Sequence, residues 1–232
     1  MNILKFICIQ LIVMTNISAQ SVSKPVIPVL YHFIYDSTAY EPSYLKFDYN
    51  AVKIANNGLN FEFRQLVKFQ MVEGFRIHYY TKDLYGIFRN YLYGDESQVK
   101  YIIDNWSEKG YLNVFIIKSE DIGEVSLQGF TIVEKGKDFE QMSPKYDNVF
   151  INFKTMFDYN NGQVLAHEIG HLFGLMHPYE LSQSDQIKQG LLDTETICTN
   201  IMNYNCFTTG FTVNQLELMM NNLNNYREYM IK

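Results

Sequence analysis

The chain has 232 residues, enough for one domain with a large core, and a formal net charge of -6. That acidic balance, with no run of basic residues, argues against nucleic acid as the partner and gives no electrostatic reason to bind a membrane surface. No repeat or low-complexity stretch marks an internal boundary.

Lys5 and the apolar stretch Phe6 to Met14 read as a signal peptide over 1–20, too short to span a bilayer, with cleavage after Ala19 or Gln20. An uncleaved anchor or a buried strand is the alternative. Pro25 to Tyr35 is a β-branched and aromatic run that predicts a buried strand. Asp48 to Asn57 predicts a helix ending at Gly58, and Asn60 to Val67 alternates as a strand does, as does Gly74 to Tyr80. Asp83 to Tyr93 and Glu96 to Trp106 predict helices parted by Gly94-Asp95. Tyr111 to Lys118, Glu124 to Val133 and Asn148 to Phe153 predict strands, and Asn161 to Phe173 a helix. Asp158 to Gly162 has the form of half a calcium loop without the distal glutamate, so it reads as a turn and helix start, and calcium lacks support. A loop-rich stretch follows, then a last helix opened by a capping box, Thr212 with Gln215. His32 and His78 fall in strands and read as packed or surface histidines.

Three of the chain's 5 histidines lie in the run from His167 to His177, which has the form H-E-x-x-H-x-x-G-x-x-H. Two histidines four apart share one helix face, so His167 and His171 can reach one ion. Gly174 permits the left-handed turn that swings His177 round as a third ligand. Three protein ligands leave one position open, the arrangement of catalytic rather than structural zinc, and Glu168 is placed to act as general base beside it. The expected cofactor is one catalytic zinc ion.

Downstream stands Asn200-Ile201-Met202-Asn203-Tyr204. With the histidine motif it makes the chain resemble the metzincin metallopeptidases. The resemblance implies that Met202 floors the site without ligating, and that Tyr204 lies near the zinc as an oxyanion donor. Ordinary packing is the other reading of Tyr204 in a chain with 18 tyrosines. Cys198 and Cys206 bracket the turn and, in an oxidising compartment, read as a disulfide, free thiols being the alternative. Within the clan the chain is most similar to pappalysins. Ile27 to His32 looks like their opening strand, Leu112 to Phe115 like the strand two elements before the metal helix, and Phe211-Thr212 with Gln215 like their final helix. Pro178 departs from that pattern and matches serralysin-like metzincins instead.

The expected fold is α+β, a two-lobed zincin with a mixed twisted sheet and the metal helix at the cleft. Its catalytic domain is expected over 21–232, with lobes at about 25–174 and 175–232. The expected activity is that of an exported zinc endopeptidase, extracellular or periplasmic, monomeric, acting on protein or peptide aligned along the strand Glu124 to Val133. Only Ser21 to Lys24 precede the first core strand, so the exported chain is expected to need no proteolytic activation. A secreted binding or adhesive protein with structural zinc, or a zinc hydrolase of a non-peptide bond, are the competing readings. Glu168 separates the first of these, since structural zinc has no use for a carboxylate beside an open position.

Overall fold

A computed structural model describes residues 23–36, 44–64, 66–80, 84–118, 128–132, 147–153, 155, 162–188, 191, 200–203 and 210–232. Strands buried on both faces lose the in-out alternation and become continuous apolar runs, as three segments here do. These are β1 (Val26–Asp36), β4 (Leu112–Lys118) and β6 (Asn148–Asn152). They pair in parallel, β1 with β4 and β4 with β6. On the far side of β1 lie two short parallel strands, β2 (Lys68–Met71) against its first half and β3 (Arg76–Tyr80) against its second. At the opposite end of the sheet β5 (Gly129–Thr131) runs antiparallel to β6. The sheet is therefore mixed, as expected.

Helices cover both faces. Tyr31 and Phe33 of β1 pack with Val52, Ala55 and Leu59 of α1 (Tyr44–Glu62) and with Ala166 and Ile169 of α4 (Gln163–Leu172). On the other face Ile34, Phe115 and Phe150 pack with Ile87 and Phe88 of α2 (Leu84–Leu92) and Ile102 of α3 (Ser97–Trp106). After α4 come a 3-10 turn at Pro178–Glu180, the short α5 (Gln183–Lys188) and the last helix α6 (Val213–Tyr226). The capping box predicted for α6 is present, with Gln215 N–H donating to Thr212 Oγ1 and Thr212 N–H to Gln215 Oε1. Among the described residues no helix is long and apolar enough to cross a membrane.

One expectation fails. Asn60 to Val67 is not a strand, because α1 continues through Gly58 to Glu62 and the chain turns before β2. Buried Ala51, Val52, Ala55, Leu59 and Phe63 form one helical stripe, and Phe61, which gave the segment its alternation, is 78% exposed. The helix then grips β2 by side chains. Asn60 accepts from Phe69 N–H at 2.9 Å and donates to Phe69 C=O at 3.0 Å, joined by Asn56 Nδ2 at 3.1 Å.

His32 and His78 pack as expected, and their protonation can be read from their partners. Asn113 Nδ2 donates to the carbonyls of Glu108 and Tyr111, so its Oδ1 faces His32 Nε2 at 2.9 Å and must accept from it. His32 Nδ1 is then a lone pair, which accepts from His78 Nε2–H at 3.0 Å. Both rings are neutral, and burial lowers each to about 4. A second buried contact ties the end of the chain to β6. Arg227 Nε lies 2.8 Å from Asp147 Oδ2, and burial pushes Asp147 up to about 7 against the pull of that guanidinium.

Candidate metal centre

The site begins with how α4 ends. Leu175 N–H donates to Gly170 C=O and Gly174 N–H to His171 C=O, both at 2.9 Å, the paired bonds of a Schellman motif. Gly174 supplies the left-handed residue this needs, with φ of +93°. The reversal brings His177 back to the two helix histidines. All three Nε2 atoms converge, His171 lying 3.1 Å from both His167 and His177, and His177 lying 3.3 Å from His167.

These contacts are not hydrogen bonds. His167 Nδ1 lies 2.8 Å from Ile201 C=O and His171 Nδ1 lies 2.7 Å from Leu175 C=O. A carbonyl only accepts, so each Nδ1 carries the proton and each Nε2 is a bare lone pair. His177 Nδ1 lies 3.0 Å from Glu180 Oε2, which imposes the same tautomer. Burial, then the neighbouring ring, holds His167 down to about 3, and burial holds His171 to about 4, so those two rings stay neutral. Three lone pairs facing one another repel unless a cation lies between them. Tetrahedral zinc with Zn–N of about 2.05 Å places its ligand nitrogens about 3.3 Å apart, close to the spacing here. The residues fit the ion, and among the described residues this is the group able to hold a metal.

Glu168 is buried beside the end strand of the sheet. Thr131 Oγ1 donates to Glu168 C=O at 2.7 Å and lies 3.1 Å from Glu168 Oε2. Burial pushes the carboxyl up to about 8, with Thr131 pulling against it. Thr131 belongs to β5, so the end strand of the sheet abuts this acid. The polar groups of β5 also have a direction. Gln128 C=O accepts from Asn152 N–H and Ile132 N–H donates to Asn148 C=O, so these face β6. By strand alternation the N–H and C=O groups of Gly129 and Thr131 face away from it. The Tyr91 hydroxyl donates to the Thr131 carbonyl at 3.4 Å.

Beneath α4 lies Met202, fully buried. Asn200 shapes that turn, its Oδ1 accepting from Met202 N–H at 2.9 Å. Its amide also exchanges two bonds with Gln215 of the α6 cap, at 2.7 and 3.1 Å. Through Ile201 C=O the same turn orients His167. Tyr204 and the Cys198–Cys206 pair lie outside the described residues, as does most of the half calcium loop. Thr131 was not found from sequence, because a strand residue with no motif gives no local sign of facing Glu168.

Sheet, metal helix, histidine triad and buried methionine turn together define a zinc metallopeptidase of the metzincin class. Residues 95–199 match the family model described as pregnancy-associated plasma protein-A. Over that stretch the chain is similar to the pappalysins, the family its motifs led us to expect. The match takes in the three histidines and stops before Asn200. No curated protein sequence matches the chain.

Proposed function

We propose that the chain is an exported zinc endopeptidase in which His167, His171 and His177 hold the ion and Glu168 moves the proton. The observation that carries this is three converging lone-pair nitrogens, two of them on the helix that also carries a buried carboxyl group. Zinc, when bound, supplies Lewis acidity toward a carbonyl oxygen and makes water a stronger acid. Glu168 takes a proton from the attacking water as the new C–O bond forms. It then delivers that proton to the amide nitrogen as the C–N bond breaks. Burial favours the proton-carrying form between these transfers, and a cation at the triad would favour the ionised form that accepts the proton.

The outward groups of β5 support a peptide as substrate. An extended chain can bond to Gly129 N–H and C=O and to Thr131 N–H, close to Glu168. Tyr204 as oxyanion donor, the Cys198–Cys206 disulfide and export rest on the sequence alone. The direct test is a denatured protein substrate incubated with the purified chain. Cleavage should stop with a chelator and return with added zinc. Zinc-loaded, folded protein that leaves every peptide bond intact would overturn the reading.

A further inference from the structure

The outer nitrogens of the triad histidines meet acceptors of two kinds. For His167 and His171 the acceptor is a main-chain carbonyl. For His177 it is the Glu180 carboxylate, 3.0 Å from Nδ1. The sequence builds this contact locally. Pro178 opens the 3-10 turn Pro178–Glu180, and Glu180 N–H closes it on His177 C=O at 2.9 Å. In 3-10 geometry residues three apart eclipse, so Glu180 falls directly over His177. Between them Tyr179 stacks on the His177 ring, with centroids 5.2 Å apart and planes 9° from parallel, and its hydroxyl lies 3.3 Å from the same Nδ1.

The bland alternative is a surface ion pair of the usual small worth, since Glu180 is 43% exposed on its side chain. Two observations weigh against it. His177 is buried, and the carboxylate meets its Nδ1, the ring nitrogen opposite the Nε2 that converges with the other two histidines. We propose that Glu180 is a positioning residue for the metal, holding His177 in its ligating tautomer and making its Nε2 a stronger donor. A carboxylate accepting from the outer nitrogen of a metal-bound imidazole pushes electron density toward the metal-facing one. Glu180 touches neither substrate nor reacting atoms and acts only through His177. The inference rests on the triad being the zinc site.

The test is zinc affinity, measured by competition with a chromophoric chelator on the full chain, for parent, Glu180→Ala and Glu180→Gln. Glu180→Ala should bind zinc about 10- to 100-fold more weakly. Glu180→Gln keeps an oxygen acceptor without the charge and should fall between the two. The thermal midpoint of the metal-free proteins should be the same in all three, because an exposed carboxylate adds little to the apo fold. Equal zinc affinity in the three proteins overturns the inference. So does a weakened Glu180→Ala whose metal-free midpoint falls in step, since Glu180 would then brace the turn and not the ligand. A parent chain that takes up no zinc removes the triad reading as well, whereas tight uptake by parent and Glu180→Ala alike removes this inference alone.

Discussion

The sulfur of Met202 stands where a side chain on Gly170 would begin, since a Cβ there would lie 2.7 Å from Met202 Sδ and 3.2 Å from Phe211 Cε1. Gly170 sits between Glu168 and His171, so the metal helix rests on the methionine with no atom to spare. Gly170→Ala should destabilise the metal-free protein by about 1–3 kcal/mol, the usual cost of overpacking. Met202→Ala opens a cavity and costs about 2–5 kcal/mol alone. In the double variant the new methyl enters the vacated space, so the two losses should not sum. Urea midpoints of the four proteins measure this, and strict additivity would show that the two residues do not touch.

Glu168→Gln keeps the shape of the acid and removes its basicity. It should retain one zinc per chain and lose nearly all turnover, since general-base transfer is worth about 10² to 10⁴ in rate. Metal analysis beside a peptide assay checks both halves. An active Glu168→Gln protein would falsify the role given to this residue.

Thr131→Val should lower kcat by roughly tenfold with little change in KM. It removes one hydrogen bond, worth about 1–1.5 kcal/mol, from the backbone and carboxyl of Glu168. Thr131→Ser keeps the hydroxyl and should restore most of the rate. Equal rates for the Val and Ser variants would mean that the hydroxyl does not hold the acid.

What the sequence made legible is what depends on near neighbours. The three parallel strands declare themselves because burial on both faces leaves few polar positions to break the run. The triad is legible because one helix and one glycine turn assemble it within eleven residues. Thr131 reaches Glu168 only through the register of β5 on β6, and no spacing in the chain records that register. The error over Asn60 to Val67 has a different source. Phe61 and Phe63 imitate strand alternation, while Asn60 just before them is spent on holding Phe69. Glu180 could have been found, since an acid two residues after a turn-opening Pro178 is a local signal.

Acid should weaken the metal-free protein through its buried histidines, partly offset by Asp147 and Glu168, whose carboxyl groups burial raises to about 7 and about 8. Burial lowers His32, His78 and His171 to about 4 and His167 to about 3. In the unfolded chain a histidine takes its proton near pH 6.5. Between these values the unfolded state binds more protons, so this stability is fully present above pH 6.5 and lost as the pH falls toward 4. For fully buried His32 each pH unit in that window costs about 1.4 kcal/mol. Protonation at its Nδ1 would also set two hydrogens against each other at His78. Urea midpoints at pH 7 and pH 5 in the presence of a chelator measure the slope, and a flat profile would contradict it.

The amide clasp between Asn200 and Gln215 has a consequence in time. Ile201, whose carbonyl fixes the His167 tautomer, hangs from a turn that is held only once the cap of α6 has formed. A growing or refolding chain can therefore complete its sheet and metal helix with a first histidine still free to choose the wrong nitrogen. Metal capture becomes the closing event of folding, gated by the C-terminal helix. In stopped-flow refolding, high-affinity zinc uptake should trail the recovery of helix signal, and Gln215→Leu should lengthen that lag. Simultaneous recovery of both signals in parent and variant would show that the centre forms without waiting for the clasp.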